Sequence, residues 1–167
     1  MVLETGREII DHLELVTNRD GSLGWYLASK VPLHNAAGEV IGLASVSRDL
    51  GAPSSDDPDF PVLRKLVAHI REHLDEPLRP DDLARMAALS PAQLDRRMRR
   101  VFGISTSAFV RKTRIEHAAQ LLVTTATPIA EIALACGYGD QTAFTRQFHA
   151  TVGQPPAAWR ENAKRHV

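Results

Sequence analysis

The sequence predicts a mainly α-helical chain, with two helix-turn-helix units joined by a long helix and a small antiparallel β fragment in front of them. Three observations predict it. One pattern is written twice between residues 83 and 159. From residue 61 onward, apolar side chains recur at helical spacing. Residues 1–50 instead read as short extended runs separated by Asn- and Gly-containing turns.

The first copy of the pattern reads Leu83-Ala84-x-x-x-Ala88-Leu89-Ser90, then Leu94-x-Arg96-x-Met98, then Gly103 and Phe109. The second reads Ile132-Ala133-x-x-x-Gly137-Tyr138-Gly139, then Phe144-x-Arg146-x-Phe148, then Gly153 and Trp159. The register is 49 residues up to the turn and 50 after it, so the second copy carries one extra turn residue. Each copy predicts a short helix, a tight turn and a helix with Arg on its outer face. Two such units in one chain suit two neighbouring grooves of duplex DNA.

In the N-terminal stretch, residues 25–33 are extended, with Trp25, Leu27, Val31 and Leu33 on one face. Asn35-Ala36-Ala37-Gly38 supplies a turn, and residues 40–46 run back as a second apolar strand. A weaker strand spans residues 9–16 and is closed by Asn18-Arg19-Asp20-Gly21. Three strands make a sheet but not a two-layered core. Gly51-Ala52-Pro53-Ser54-Ser55-Asp56-Asp57-Pro58-Asp59 has the composition of a solvated linker, which the acidic run suits better than a metal site.

Leu63, Leu66, Val67, Ile70 and Leu74 form one apolar helical stripe. His69 and His73 lie one turn apart, the spacing of a two-histidine metal site, but no third ligand is evident and they read as surface residues. Pro80-Asp81-Asp82 starts the next helix with acids at its positive end. Ser90-Pro91 is an N-cap followed by Pro at the first helical position. On that helix Leu94, Met98 and Val101/Phe102 face inward, while Ala92, Asp95, Arg96 and Arg99 share another face. A long helix over 105–124 carries Ile115, Ala118, Ala119 and Leu122 on one stripe and joins the copies. In the second copy Ile129, Ile132, Ala133 and Cys136 share a face, so Cys136 reads as a small buried residue. Phe144, Phe148 and Val152 face inward on the last repeat helix; Thr142, Thr145, Arg146 and His149 face outward. Pro155-Pro156 then opens a short final helix anchored by Trp159.

The chemistry follows from charge and side-chain type. Lys and Arg total 20, as do Asp and Glu, but residues 1–60 hold ten acids and four bases while residues 61–167 hold ten acids and sixteen bases. Local positive charge sets attraction to phosphates. Arg bonds bidentately to guanine and Gln to adenine, each good pair discriminating by about 1–3 kcal/mol. Arg96 and Arg146 occupy the same position in the two copies, and Gln93, Gln141 and Thr142 lie near the helix starts where base contacts concentrate. Arg99, Arg100, Arg111, Lys112 and Arg114 are expected on phosphates. The single cysteine, Cys136, excludes an internal disulfide and a thiolate cluster. No cationic start with an apolar run marks a signal peptide, and no apolar stretch approaches the ~18 residues of a membrane span. A cytoplasmic, nucleoid-associated protein is expected, without membrane contact.

Ile132-Ala133-x-x-x-Gly137-Tyr138-x-Asp140-Gln141-x-x-Phe144-x-Arg146-x-Phe148, then Gly153-x-x-Pro156-x-x-Trp159-Arg160, resembles the signature of the AraC/XylS family of bacterial transcription regulators. The likeness covers residues 61–160. It implies base-facing roles for Ala92, Gln93, Asp95 and Arg96, and for Gln141, Thr142, Thr145 and Arg146. The first copy departs from the family pattern at Thr106, where Pro is common, and at Arg97, where an apolar residue is common; Pro155 replaces the usual Ser/Thr cap in the second. Residues 25–33, the turn at Gly38, Val40-Ile41-Gly42 and Ser47-Arg48-Asp49 resemble the last two strands of a PAS sensor domain, covering only its final half.

The expected organisation is a partial PAS-like α+β sensor at 1–50, a linker at 51–60 and an AraC-type double helix-turn-helix domain at 61–167. The expected function is a sequence-specific DNA-binding regulator, for which the resemblance implies activation, with double-stranded DNA and RNA polymerase as partners; either the sensor fragment is part of a longer reading frame or a second copy completes its sheet as a homodimer. No haem, flavin or other cofactor is assigned. The alternatives are a helical protein-interaction module, and a DNA alkylation-repair enzyme, whose chemistry needs several cysteines where this chain has one.

Overall fold

Alternating side chains around an Asn-Gly turn build the N-terminal unit, seen in a computed structural model that describes residues 2–17, 23–50 and 60–164. The chain divides into two units, 1–51 and 52–167. In the first, a short helix α1 (Val2–Thr5) precedes strands β1 (Ile9–Thr17), β2 (Leu23–His34) and β3 (Val40–Asp49). They pair antiparallel in the order β1-β2-β3, with Leu15 opposite Trp25 and Ala28 opposite Ser47. The β2–β3 turn is fixed by Asn35, whose Oδ1 accepts from the amides of Ala37 at 2.9 Å and Glu39 at 3.0 Å.

Two features differ from the reading of the sequence. β3 continues three residues past Val46, because Ser47, Arg48 and Asp49 pair with Ala28, Leu27 and Tyr26. The apolar face of β2 is buried only at its start: Trp25 is 8% exposed, whereas Val31 is 37% and Leu33 47% exposed. With only three strands and α1, nothing in this unit is large enough to cover the far end of that face. The turn expected at 18–21 and the linker at 51–59 lie outside the described residues.

The regular elements of the second unit are all helices among the described residues. Its elements are α2 (Phe60–Glu72), α3 (Pro80–Met86), α4 (Pro91–Phe102), α5 (Thr106–Thr124), α6 (Ile129–Ala135), α7 (Gln141–Val152) and α8 (Pro156–Lys164). The stripes read from the sequence form its core: Leu63, Leu66, Val67, Ile70 and Leu74 are buried, as are Leu94 and Met98, and Ile115, Ala118, Ala119 and Leu122. Burying such stripes against one another is what makes seven short helices stable together. In the second copy Ile132, Ala133, Cys136, Phe144 and Phe148 are all fully buried. His69 and His73 are half-buried rather than on the surface. The chain leaves α2 at His73, whose ring folds back onto His69, with centroids 4.1 Å apart and Nδ1 2.9 Å from the His69 carbonyl oxygen.

Candidate nucleic-acid interface

Both copies solve the same geometric problem with different residues. After α3 the chain reverses through Ala88 at φ 53, and after α6 through Gly137 at φ 73. The closing bonds match: Leu89 N to Ala84 O at 2.9 Å, and Tyr138 N to Ala133 O at 3.0 Å. Gly139 is the extra turn residue, and a side chain there would meet nothing. The reading helices then start on equivalent caps. Ser90 Oγ accepts from Gln93 N while Gln93 Oε1 accepts from Ser90 N at 2.9 Å, a reciprocal capping box. Asp140 Oδ1 accepts from Ala143 N at 2.7 Å. Left-handed Gly103 and Gly153 close α4 and α7 at φ 75 and 80.

Of the candidates on α7, Gln141, Thr142 and Arg146 are exposed and Thr145 is half-buried. All four line one shallow depression, together with His149 and Pro155. His149 extends the periodic set Thr142, Thr145, Arg146 by one turn; the spacing placed it outward, and the depression brings it to the candidate site.

On α4, Ala92, Gln93 and Arg96 are exposed. Gln93 spends its oxygen on the capping box and keeps only its Nε2 donors for another partner. The expectation that Asp95 reads bases is corrected. Its Oδ1 accepts from the Thr106 amide at 2.8 Å and its Oδ2 from Arg99 Nε at 3.0 Å, so it caps the start of α5. Burial pushes its carboxyl up, but the bonds from Thr106 and Arg99 outweigh that and hold it below the ordinary 3.8. The reason lies at the departure noted above: Thr106 has an N–H that Pro would lack. The equivalent pair in the second copy is Thr145 and Pro156, where no amide needs a partner.

Among the phosphate candidates Arg99, Arg100 and Arg111 are exposed. Lys112 Nζ bonds Glu116 Oε2 at 3.2 Å with its side chain only 19% exposed. Arg114, expected on a phosphate, has its guanidinium engaged within the fold. Its Nε donates to the Leu74 carbonyl at 3.1 Å and its Nη2 to the Glu76 carbonyl at 2.8 Å, so the guanidinium closes the chain end after α2. Arg160 does the same work in the second copy, donating from Nε to Leu122 O at 3.2 Å and from Nη2 to Thr127 O at 2.7 Å. Sequence reasoning missed both clamps. Their partners lie 40 and 38 residues before Arg114, and 38 and 33 before Arg160, beyond any local spacing signal.

Cys136 is buried in the scaffold, and burial raises its thiol to about 11 despite the nearby Arg114. Burial likewise raises Tyr138 to about 12. At neutral pH Cys136 is a protonated, inaccessible thiol, unsuited to nucleophilic transfer. Among the described residues no three His, Cys, Asp or Glu side chains gather as metal ligands, and no helix is long and apolar enough to cross a membrane.

This architecture, two capped reading helices bridged by α5, is that of a DNA-binding regulator. Residues 83–162 match the helix-turn-helix domain family, and residues 1–54 match the PAS fold. The chain is 34% identical over 99 residues to the regulatory protein SoxS of Escherichia coli strain K12, an alignment covering 59% of this chain and 92% of that one. It is 35% identical over 103 residues to the transcriptional regulator Rob of Salmonella typhimurium strain LT2, covering 62% of this chain but only 36% of Rob. The chain thus spans about a third of the length of that relative. Among solved structures, the DNA-binding domain of AdpA, a global transcriptional factor in complex with a target DNA, superposes with TM-score 0.60 at 31% identity, covering 62% of this chain and 94% of that one. A regulator with an AraC-type DNA-binding domain from Chromobacterium violaceum superposes with TM-score 0.58 at 29% identity, covering 62% and 92%. The chain belongs to the AraC family of DNA-binding transcription regulators.

Proposed function

We propose that this chain binds a specific two-part DNA sequence through α4 and α7, set in successive major-groove faces, and activates transcription there by contact with RNA polymerase. The observation that carries the reading is the pairing of Arg96 and Arg146, exposed at the same position of two helices that each start on a side-chain cap and end on a left-handed Gly. On α7 the reading set is Gln141, Thr142, Thr145 and Arg146, with His149 beside them. On α4 it narrows to Arg96, the Gln93 amide donors and the Ala92 methyl, which suits a thymine methyl. Arg99, Arg100 and Arg111 hold phosphates. The organisation is a PAS-like unit at 1–50, a linker at 51–60 and the DNA-binding domain at 61–167. The protein acts at the bacterial nucleoid in the cytoplasm, as a homodimer.

Selection of duplexes from a random library by the full chain, followed by affinity against salt, tests this. Enrichment of a two-part site with centres about 10 base pairs apart is the expected result. Affinity is expected to fall by orders of magnitude as salt rises from about 50 to 200 mM. A one-part site overturns the paired reading. No enrichment together with salt-insensitive binding favours a protein-interaction module instead.

A further inference from the structure

Arg114 stands where the chain of the first helix-turn-helix unit approaches the turn of the second. Its guanidinium bonds the Leu74 and Glu76 carbonyls, which belong to the chain between α2 and α3 and so to the first unit. Its own backbone lies on α5, the bridge. Its third neighbour is Gly137, the turn residue of the second unit. A Cβ at Gly137 would lie 2.6 Å from Arg114 Cζ and would overlap both the guanidinium nitrogen and the Leu74 carbonyl oxygen. Gly137 is therefore required twice, by its φ of 73 and by this close approach. Cys136 and Tyr138 on either side of it are near enough to feel the Arg114 charge.

Without this junction the second reading helix is oriented through α5, the loop at 125–128 and the packing of α6 and α8. The other clamp, Arg160, works wholly among those parts, joining α8 to the end of α5 and to Thr127. Arg114 ties the loop of the first helix-turn-helix unit to the turn of the second, where the Leu74 carbonyl also approaches Gly137 directly. It reaches two carbonyls at once because its planar fork presents donors at fixed angles, which a lysine ammonium does not.

We propose that Arg114 is a positioning residue for DNA recognition: by locking the 74–76 loop against the Gly137 turn it fixes the angle between α4 and α7, and so the spacing of the two-part site the protein accepts. This rests on the two-groove reading above. Two linked heads gain affinity from each other only when both engage at once, and that gain depends on geometry. A locked junction confines the gain to one spacing; a loosened one spreads a smaller gain over several.

The test uses the full chain and three duplexes: the selected two-part site, the same site with one base pair inserted between its parts, and a one-part site. One inserted base pair turns the second part by about 35°. The wild-type chain is expected to lose about tenfold or more in affinity on insertion, the gain from joint engagement being large. Arg114→Lys is expected to bind the selected site several-fold more weakly and to lose no more than about twofold on insertion, with one-part binding unchanged. Arg160→Lys is the control, expected to lower the midpoint of thermal unfolding while retaining the wild-type insertion penalty. Should Arg114→Lys fail to fold, Arg114→Gln, which keeps donors for one carbonyl, takes its place with the same expectation. A wild-type insertion penalty that survives in the Arg114 variant overturns the proposal, as does a parallel loss on all three duplexes. A wild-type chain that shows no insertion penalty overturns the two-groove reading, and the proposal with it.

Discussion

At the scale of single residues, the two copies differ where one backbone problem has two chemical answers. The first amide of a helix has no intrahelical partner. At the start of α8 the problem is absent, because Pro156 has no N–H; at the start of α5 the Thr106 amide is bonded by Asp95 at 2.8 Å. Asp95→Ala is therefore expected to cost about 1–2 kcal/mol, the scale of a lost capping bond. In a Thr106→Pro background, where Pro occupies a favoured first helical position, the same change is expected to cost less than about 0.5 kcal/mol. Denaturant unfolding of the four proteins measures the difference; equal costs in both backgrounds would falsify the capping role. The acid limb gives a check with a definite sign. The Asp95 carboxyl is held below 3.8, so its contribution is present above that pH and is lost as pH falls through the lowered value. The gap between wild type and Asp95→Ala should close in that window. Arg96 and Arg146 were legible because an outward position on a helix follows from local spacing. Asp95, Arg114 and Arg160 were not, because a charged residue on an outer stripe looks alike whether it meets DNA or a backbone group brought over by the fold, an amide for Asp95 and carbonyls for the two arginines. Only the tertiary structure separates the two.

Among the elements, helices with one dominant apolar stripe were read nearly to the residue, since the stripe, the cap and the terminal glycine all mark the same bounds. Ser90-Pro91 and Gly103 bound α4 from Pro91 to Phe102 in this way. β3 overran its expected end because Ser47-Arg48-Asp49 carries no apolar signal; backbone pairing with β2 alone keeps it extended. The reading helices also divide labour in a way composition alone obscures. α4 holds four arginines and one aspartate, whereas α7 holds one arginine, one histidine and the Gln and Thr side chains that line its depression. Arg99 donates from Nε to Asp95 at 3.0 Å, which leaves its two terminal nitrogens outside that bond. Arg146→Ala is expected to cost about 1–3 kcal/mol on the selected site, with relaxed preference at one base position and little change on random duplex. Arg99→Ala is expected to weaken binding to both alike and to lower the salt slope by about 1. Titration of both duplexes decides it: indistinguishable effects of the two substitutions would remove the division between base-reading and phosphate-holding residues.

For the whole molecule, the decisive contrast is between its two units. The helical unit has its own buried core and exposes a few scattered apolar side chains such as Met86 and Leu134, whereas the small sheet leaves many in water: besides Val31 and Leu33, Ile41 is 66% and Val46 73% exposed. β3 is also an edge strand of the sheet formed by the described residues. Val31, Leu33 and Val46 share one face, since Val46 pairs with Ser29 and Val31 with Ala44. An apolar face beside an open edge is the pattern of an interface rather than of a solvated surface. Under two-fold symmetry a second copy would offer it an identical face and an identical edge. The full chain is accordingly expected to sediment as a dimer at micromolar concentration. Val46→Lys, which sets a charge on that face, is expected to shift it to monomer. Affinity for a single two-part site should stay unchanged, because one copy carries both reading helices. Binding to two adjacent sites should weaken, as joint engagement of linked heads is lost. A monomeric wild-type chain, or a Val46→Lys chain that remains dimeric, would place the contact between copies elsewhere than this face.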